Sequence, residues 1–218
     1  MSDSNWLILT ALAMEANAIT AVCGDLLQKG GGSAAVRIIG IRANRLDKSD
    51  LAGFRGIILA GLAGGLHPDV KTGDVVISAP GEWWPGLPYR RGEICTSDHL
   101  VAHSDEKRML FERTGALAVD METEIVRRQC QAAGVPMATV RAISDPADQD
   151  LPNGVDRWVD EDGQLRIGTV AGAILRRPGI LPGLVRLGRQ SRLAAANLGA
   201  AINKILLTPS PTEAIPDR

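Results

Sequence analysis

The chain has 218 residues, 45% of them hydrophobic and 22% charged, with 24 basic residues against 25 acidic ones and a formal net charge of −1. Length and composition fit a soluble globular protein with one substantial core, and the balanced charge argues against a nucleic-acid backbone as partner. Cys23, Cys95 and Cys130 are odd in number and far apart, with no CxxC pair and no metal-ligand spacing, so they read as reduced thiols of a cytoplasmic protein. The apolar run from Trp6 to Met14 is too short and too weakly flanked for a signal peptide or a membrane span.

In chain order, residues 6–12 read as a buried first strand and residues 14–19 open a helix. A turn at 29–33 precedes a second strand over 35–41, and a short helical piece ends at 51–54. Residues 56–61 are almost continuously apolar, the pattern of a strand in a sheet covered on both faces. Another strand, 75–78, follows the turn at 71–74, and residues 80–97, rich in Gly, Pro and Trp, read as loop. Next come a helix over 105–114 and a short strand over 116–119. The helix over 122–133 sets Ile125, Val126 and Cys130 along one face and is ended by Gly134, with Pro136 beyond. Residues 137–143 form the next buried strand, 146–163 a loop, 168–175 a helix, and 180–207 a long helix or a broken pair. The tail, 208–218, holds three prolines and is expected to be disordered. Strands and helices alternate without an internal repeat. The expected architecture is therefore a single α/β domain over 1–207, a three-layer α/β/α sandwich around a central mixed β-sheet.

Two regions carry chemistry. Leu59-Ala60-Gly61-Leu62-Ala63-Gly64-Gly65-Leu66 offers bare backbone to a ligand, because bulkier side chains at Ala63 and Gly64 would block its approach. Val119-Asp120-Met121-Glu122 and Arg141-Ala142-Ile143-Ser144-Asp145 place two carboxylates, Glu122 and Asp145, at the ends of expected strands. Strand ends are common places for ligand-facing groups in α/β sheets. An aspartate that holds a proton there can donate it to the N7 of a departing purine. An ionised glutamate is acceptor-only and can take both vicinal hydroxyls of a ribose. The competing structural readings are a turn-capping Asp145 ahead of Pro146 and a Glu122 favoured by the dipole of its own helix.

In order and spacing these segments, with Lys71-Thr72-Gly73-Asp74 after the first, resemble the nucleoside phosphorylase and nucleosidase superfamily, and most of all the methylthioadenosine/S-adenosylhomocysteine nucleosidases. The resemblance covers roughly residues 6–175 in outline. It implies that Asp145 is the general acid, oriented by Ser144. It implies that Glu122 binds the ribose hydroxyls while Met121 packs on the sugar, and that Glu15 with Arg141 positions the attacking water. Such a pairing makes sense, since a carboxylate polarises water and a guanidinium keeps it ionised; a purely structural Glu15–Arg141 ion pair is the alternative. The resemblance further implies base contacts from Leu100 and Val101, where many nucleosidases carry a stacking aromatic. No cofactor or metal is implied, His67, His99 and His103 being isolated; the one co-substrate that could replace water is inorganic phosphate. The family is oligomeric, so a homodimer is expected.

A narrower likeness links residues 114–122, Ser144-Asp145-Pro146-Ala147-Asp148 and Arg176-Arg177-Pro178-Gly179 to the hopanoid-associated phosphorylases, which implies an adenosyl lipid as substrate. The sequence departs from phosphorylases in two ways. Leu62 replaces a Ser or Thr, and Ala11 to Glu15 offers no phosphate-binding turn, which favours water as nucleophile. Trp83-Trp84-Pro85-Gly86-Leu87-Pro88-Tyr89 reads as a lid, a subunit contact or an ordinary packed loop. The run Arg176 to Arg192 mixes arginines with leucines and could touch an anionic membrane surface. A nucleoside-binding protein without turnover is the reading from another class.

Overall fold

The computed structural model describes residues 6–27, 34–81, 83–152, 154–155 and 178–208. Its strands are β1 (Trp6–Thr10), β2 (Ala34–Ile38), β3 (Gly56–Gly65), β4 (Val75–Ser78), β5 (Arg90–Arg91), β6 (Ile94–Thr96), β7 (Ala118–Asp120) and β8 (Met137–Asp145). Its α-helices are α1 (Ala13–Cys23), α2 (Ser104–Thr114), α3 (Thr123–Ala133) and α4 (Leu181–Leu207). The strands form one mixed sheet in the order β2-β1-β3-β8-β4-β5, with β7 added to β3 and β6 to β7. β1, β2, β3 and β8 run parallel, whereas β4 is antiparallel to β8 and β7 antiparallel to β3.

The apolar runs form central strands because both of their faces are covered. Trp6 and Ile8 of β1, Ile58 and Ala60 of β3, and Ala138, Val140 and Ala142 of β8 share one cluster with Ile19 and Cys23 of α1 and Ala194, Leu198, Ala201 and Ile202 of α4. The alternate residues Leu7, Leu9, Ile57 and Leu59 pack against Val126 and Cys130 of α3. Helices thus cover both faces, as the alternation of elements predicted. Gly134 ends α3 as expected: at φ 67° it bonds back to the carbonyls of Cys130 and Gln131.

Residues 181–207 form one helix and not a broken pair. Pro182 sits in its first turn, where a missing N–H costs nothing. Gly199 brings α4 against α1, since a Cβ there would stand 2.6 Å from the carbonyl oxygen of Ala18. All the buried residues of α4 lie between Ala194 and Ile205.

Three expectations change. The second strand stops at Ile38, because Gly40 turns the chain at φ 74° into a 3-10 turn at Ile41–Ala43. The stretch 80–97 contains β5 and β6. Its tryptophans are packed inward: Trp84 is fully buried, and Trp6, Trp83 and Trp84 meet with ring centroids 5.3–5.7 Å apart. Third, the strand expected over 56–61 runs on as β3 through Ala63, Gly64 and Gly65. The helix expected over 168–175, Arg176, Arg177 and the tail from 209 lie outside the described residues. Among the described residues, no helix is long and apolar enough to cross a membrane, and no cluster of His, Cys, Asp and Glu could hold a metal ion.

Candidate active site

The long strand β3 changes neighbours along one edge. Its first half pairs with β1 as far as Leu59, and β7 joins only at Gly64 and Gly65. Between these points the sheet splits, and backbone groups of β3 are left for side chains to satisfy. Glu15, in the first turn of α1, fills this position. Its Oε1 accepts the Leu62 N–H at 2.8 Å, and Oε2 accepts the Leu12 N–H at 2.9 Å. Across the other edge of β3, Gly61 is registered with Arg141 of β8.

Arg141 is fully buried. Its Nε donates to Asp120 Oδ2 at 2.8 Å, and its Nη2 reaches Glu122 Oε2 at 3.3 Å. Nη1 has no hydrogen-bond partner among the described residues. It lies beside Gly61: a Cβ there would collide with Nη1 and stand 2.9 Å from Glu15 Oε1. The direct Glu15–Arg141 ion pair weighed as an alternative is therefore not formed. The guanidinium is clamped by Asp120 and Glu122 and presents its unpaired Nη1 towards Glu15.

Glu122 precedes the first turn of α3 and is buried; Oε1 accepts the backbone N–H of Arg42 at 3.0 Å. Arg42 and Ala43 hold φ of 56° and 53°, in the left-handed region that non-glycine residues seldom occupy. That turn aims the amide at Glu122. Met121 is half-buried between the two acids. Burial pushes the Glu15 carboxyl up to about 7, against the pull of Arg141 and the two amides. Burial also raises the pKa of Glu122, with Arg141 opposing and Asp120 adding to it. For Arg141, burial works against the charge, but Asp120, Glu122 and Glu15 outweigh it and hold its pKa above the ordinary value.

Asp145 ends β8 and is buried. Ala63 pairs with Ile143 and Gly64 with Asp145, so Ser144 is an extra residue in the ladder, a β-bulge. The bulge sets Asp145 beside Gly64, where a Cβ would lie 3.4 Å from Oδ2. Ser144 Oγ is 2.6 Å from Asp145 Oδ1 and 3.2 Å from the Ala63 carbonyl. On the other side, the fully buried Lys107 of α2 donates to Asp145 Oδ2 at 2.6 Å. Val101 packs with Leu66, Ala116 and Val119, while Leu100 is 37% exposed.

The structure therefore brings Glu15, Arg141 and Glu122 together at the split, with Asp145, Ser144, Ala63 and Gly64 at the far ends of the same two strands. Asp120, Lys107 and the Arg42 amide were not anticipated. Asp120 could have been suspected, as a second acid two residues from Glu122. No local signal marks Lys107 or Arg42.

The sequence model of the phosphorylase superfamily matches residues 85–177. A stretch of 75 residues is 33% identical to the aminodeoxyfutalosine nucleosidase of Helicobacter pylori (strain ATCC 700392 / 26695). It covers 34% of this chain and 32% of that protein, so the chain spans about a third of the length of the curated relative it matches. Among solved structures, the fold is similar to the 5'-methylthioadenosine/S-adenosyl homocysteine nucleosidase of Helicobacter pylori, with a TM-score of 0.66, 17% identity and coverage of 94% of this chain and 99% of that one. It is also similar to the 5'-methylthioadenosine nucleosidase of Arabidopsis thaliana, with a TM-score of 0.63, 15% identity and coverage of 94% and 95%. That sequence match lies within a fold shared with these nucleosidases over nearly the whole chain, and across residues 85–177 the chain is similar to the phosphorylase superfamily.

Proposed function

We propose that the chain hydrolyses the N-glycosidic bond of an adenine nucleoside. The observation that carries this reading is the free Arg141 Nη1 beside Gly61, facing Glu15, while the same guanidinium steadies Glu122. A water between Glu15 and Nη1 would be polarised by the carboxylate and oriented by the N–H. Glu122 would hold the ribose hydroxyls in place of part of its present contacts and offset positive charge developing at C1′. Asp145, two turns of the pleat further along β8, would protonate the departing base, and Ser144 would fix its orientation. Ala63, Gly64, Met121, Leu100 and Val101 would line the sugar and base. The similar nucleosidases, one named for methylthioadenosine and S-adenosyl homocysteine and the other for methylthioadenosine, support an adenine nucleoside as substrate.

Water is favoured over phosphate on electrostatic grounds. Three carboxylates, Glu15, Asp120 and Glu122, surround the single guanidinium of Arg141. A phosphate dianion would meet that excess of acid, and the Leu62 side chain has no donor to offer it.

Adenine release from 5′-methylthioadenosine in phosphate-free buffer tests this reading. Release that is unchanged when phosphate is added agrees with it. Strictly phosphate-dependent release, yielding 5-methylthioribose 1-phosphate, contradicts hydrolysis; binding without release would mean a nucleoside-binding protein. A lipid-linked adenosyl substrate is a second reading. It is favoured by the first half of α4, where Leu181, Val185 and Leu193 are exposed alongside Arg186, Arg189 and Arg192. Rates that rise with the length of an apolar 5′ chain would select it.

A further inference from the structure

We propose that Lys107 is the positioning residue of the proton donor: its ammonium holds Asp145 in place and replaces the proton that Asp145 gives to the base. The inference rests on the functional reading above.

Lys107 is the one buried residue of α2, a helix that leaves Met109 66% exposed. A lysine inside and a methionine outside invert the usual order. Each N–H of the ammonium has an acceptor: Asp145 Oδ2 at 2.6 Å, the Pro146 carbonyl at 2.9 Å and the Gln149 carbonyl at 3.0 Å. A clip for the turn after β8 would need only the two carbonyls. The shortest bond goes instead to the carboxylate at the end of the strand. Gly64 leaves space for the pair, since a Cβ there would stand 3.4 Å from Asp145 Oδ2 and 3.8 Å from Lys107 Cε. With Ser144 on Oδ1 and Lys107 on Oδ2, the carboxyl plane of Asp145 is fixed from both sides.

The proton count closes over one turnover. The C1′–N9 bond breaks and its electron pair goes to the purine. Purine N7 takes a proton from Asp145, and Asp145 takes one from the Lys107 ammonium, leaving an amine. The oxygen of water bonds to C1′ and releases a proton, which passes through solvent and recharges Lys107. Nucleoside and water become adenine and the free sugar, and the protein is unchanged.

The test compares kcat and KM of the wild type, Lys107→Met and Lys107→Arg on 5′-methylthioadenosine and on a 4-nitrophenyl riboside, whose phenolate departs without a proton. General acid catalysis contributes about 10²–10⁴-fold, so Lys107→Met should lose at least about 100-fold in kcat on the adenine nucleoside, with little change in KM or in rate on the nitrophenyl compound. Lys107→Arg, which keeps the charge, should recover part of the loss. Equal losses on both substrates, or no loss at all, would overturn the proposal and leave Lys107 as a structural clip. If Lys107→Met does not fold, as read by thermal melting, the same split is expected of Lys107→Arg. If the wild type rejects the nitrophenyl riboside, a loss in KM instead of kcat on the adenine nucleoside overturns it. A wild type that releases no adenine from any nucleoside would remove the functional reading itself, whereas an active wild type with indifferent Lys107 variants removes only this inference.

Discussion

The guanidinium of Arg141 rests on the carboxylate of Asp120, Nε to Oδ2 at 2.8 Å, with both side chains shut away from solvent. Asp120 is itself held by the Thr96 hydroxyl at 3.0 Å and by the backbone N–H of Thr123 at 3.1 Å, with the Thr123 hydroxyl on Oδ2. β6, β7, α3 and β8 thereby meet at one ion pair, and Glu122 inherits its position from it.

Removing one partner of such a pair leaves a buried, uncompensated charge. Asp120→Ala is expected to lower stability by about 3–5 kcal/mol in urea denaturation. Its remaining folded fraction should bind nucleoside weakly, because Arg141 no longer steadies Glu122. A loss below 1 kcal/mol would mean that Glu122 alone compensates the guanidinium.

Gly61→Ala tests the free N–H. The added methyl collides with Arg141 Nη1 and lies within 2.9 Å of Glu15 Oε1. The expected outcome is a fall in kcat of roughly 100-fold, of the size seen when a positioned catalytic group is displaced, together with a lower Tm. Unchanged kinetics would show that nothing useful occupies the space between these residues.

The pH dependence follows from Glu15, whose carboxyl titrates at about 7 in the fold against an ordinary 4.5. In the unfolded chain it loses its proton first. Between those values the folded state therefore holds the extra proton, and stability falls as pH rises through the interval, then levels off above about 7. Glu122, raised for the same reason, adds in the same direction. Glu15→Gln should flatten this slope in denaturation curves taken across pH. Activity runs the opposite way: polarising water requires the ionised carboxylate, so kcat/KM should rise with pH through about 7. A profile flat from pH 5 to 8 would count against Glu15 as the water-positioning group.

The layers of the fold were legible in the sequence because the apolar runs of β1, β3 and β8 announce strands covered on both faces, and the period of α3 announces its buried side. What the sequence hid depends on pairing. The strand was expected to stop at Gly61 because glycine normally breaks strands, yet Ala63 and Gly64 are paired by β8 on one side, and Gly64 and Gly65 by β7 on the other. The bulge at Ser144 arises only from the match of two strands and leaves no mark in either one alone. Glu15, Glu122, Arg141 and Asp145 could be picked out as charged residues at the ends of apolar segments. Lys107 could not, because it lies in a helix of charged residues, Ser104 to Thr114, where one more lysine looks solvated. Arg42 contributes only its backbone, which no side-chain pattern reveals.

Glu122→Gln keeps the shape of the ribose-binding group but weakens it as an acceptor. It is expected to raise KM and lower kcat together, since the hydroxyl contacts matter in both the ground state and the transition state. The Arg42 amide bond can persist, so its Tm should move little. A change in Tm with normal kinetics would reverse the assignment and make Glu122 a structural residue.

The central claim is that Asp145 and Glu122 act on one nucleoside, and a crystal structure of the Asp145→Asn variant soaked with 5′-methylthioadenosine measures this most directly. The account predicts purine N7 within hydrogen-bond distance of residue 145 and the ribose 2′- and 3′-hydroxyls on the Glu122 carboxylate, in the same molecule. A nucleoside that touches only one of the two, or that binds elsewhere on the surface, would contradict it.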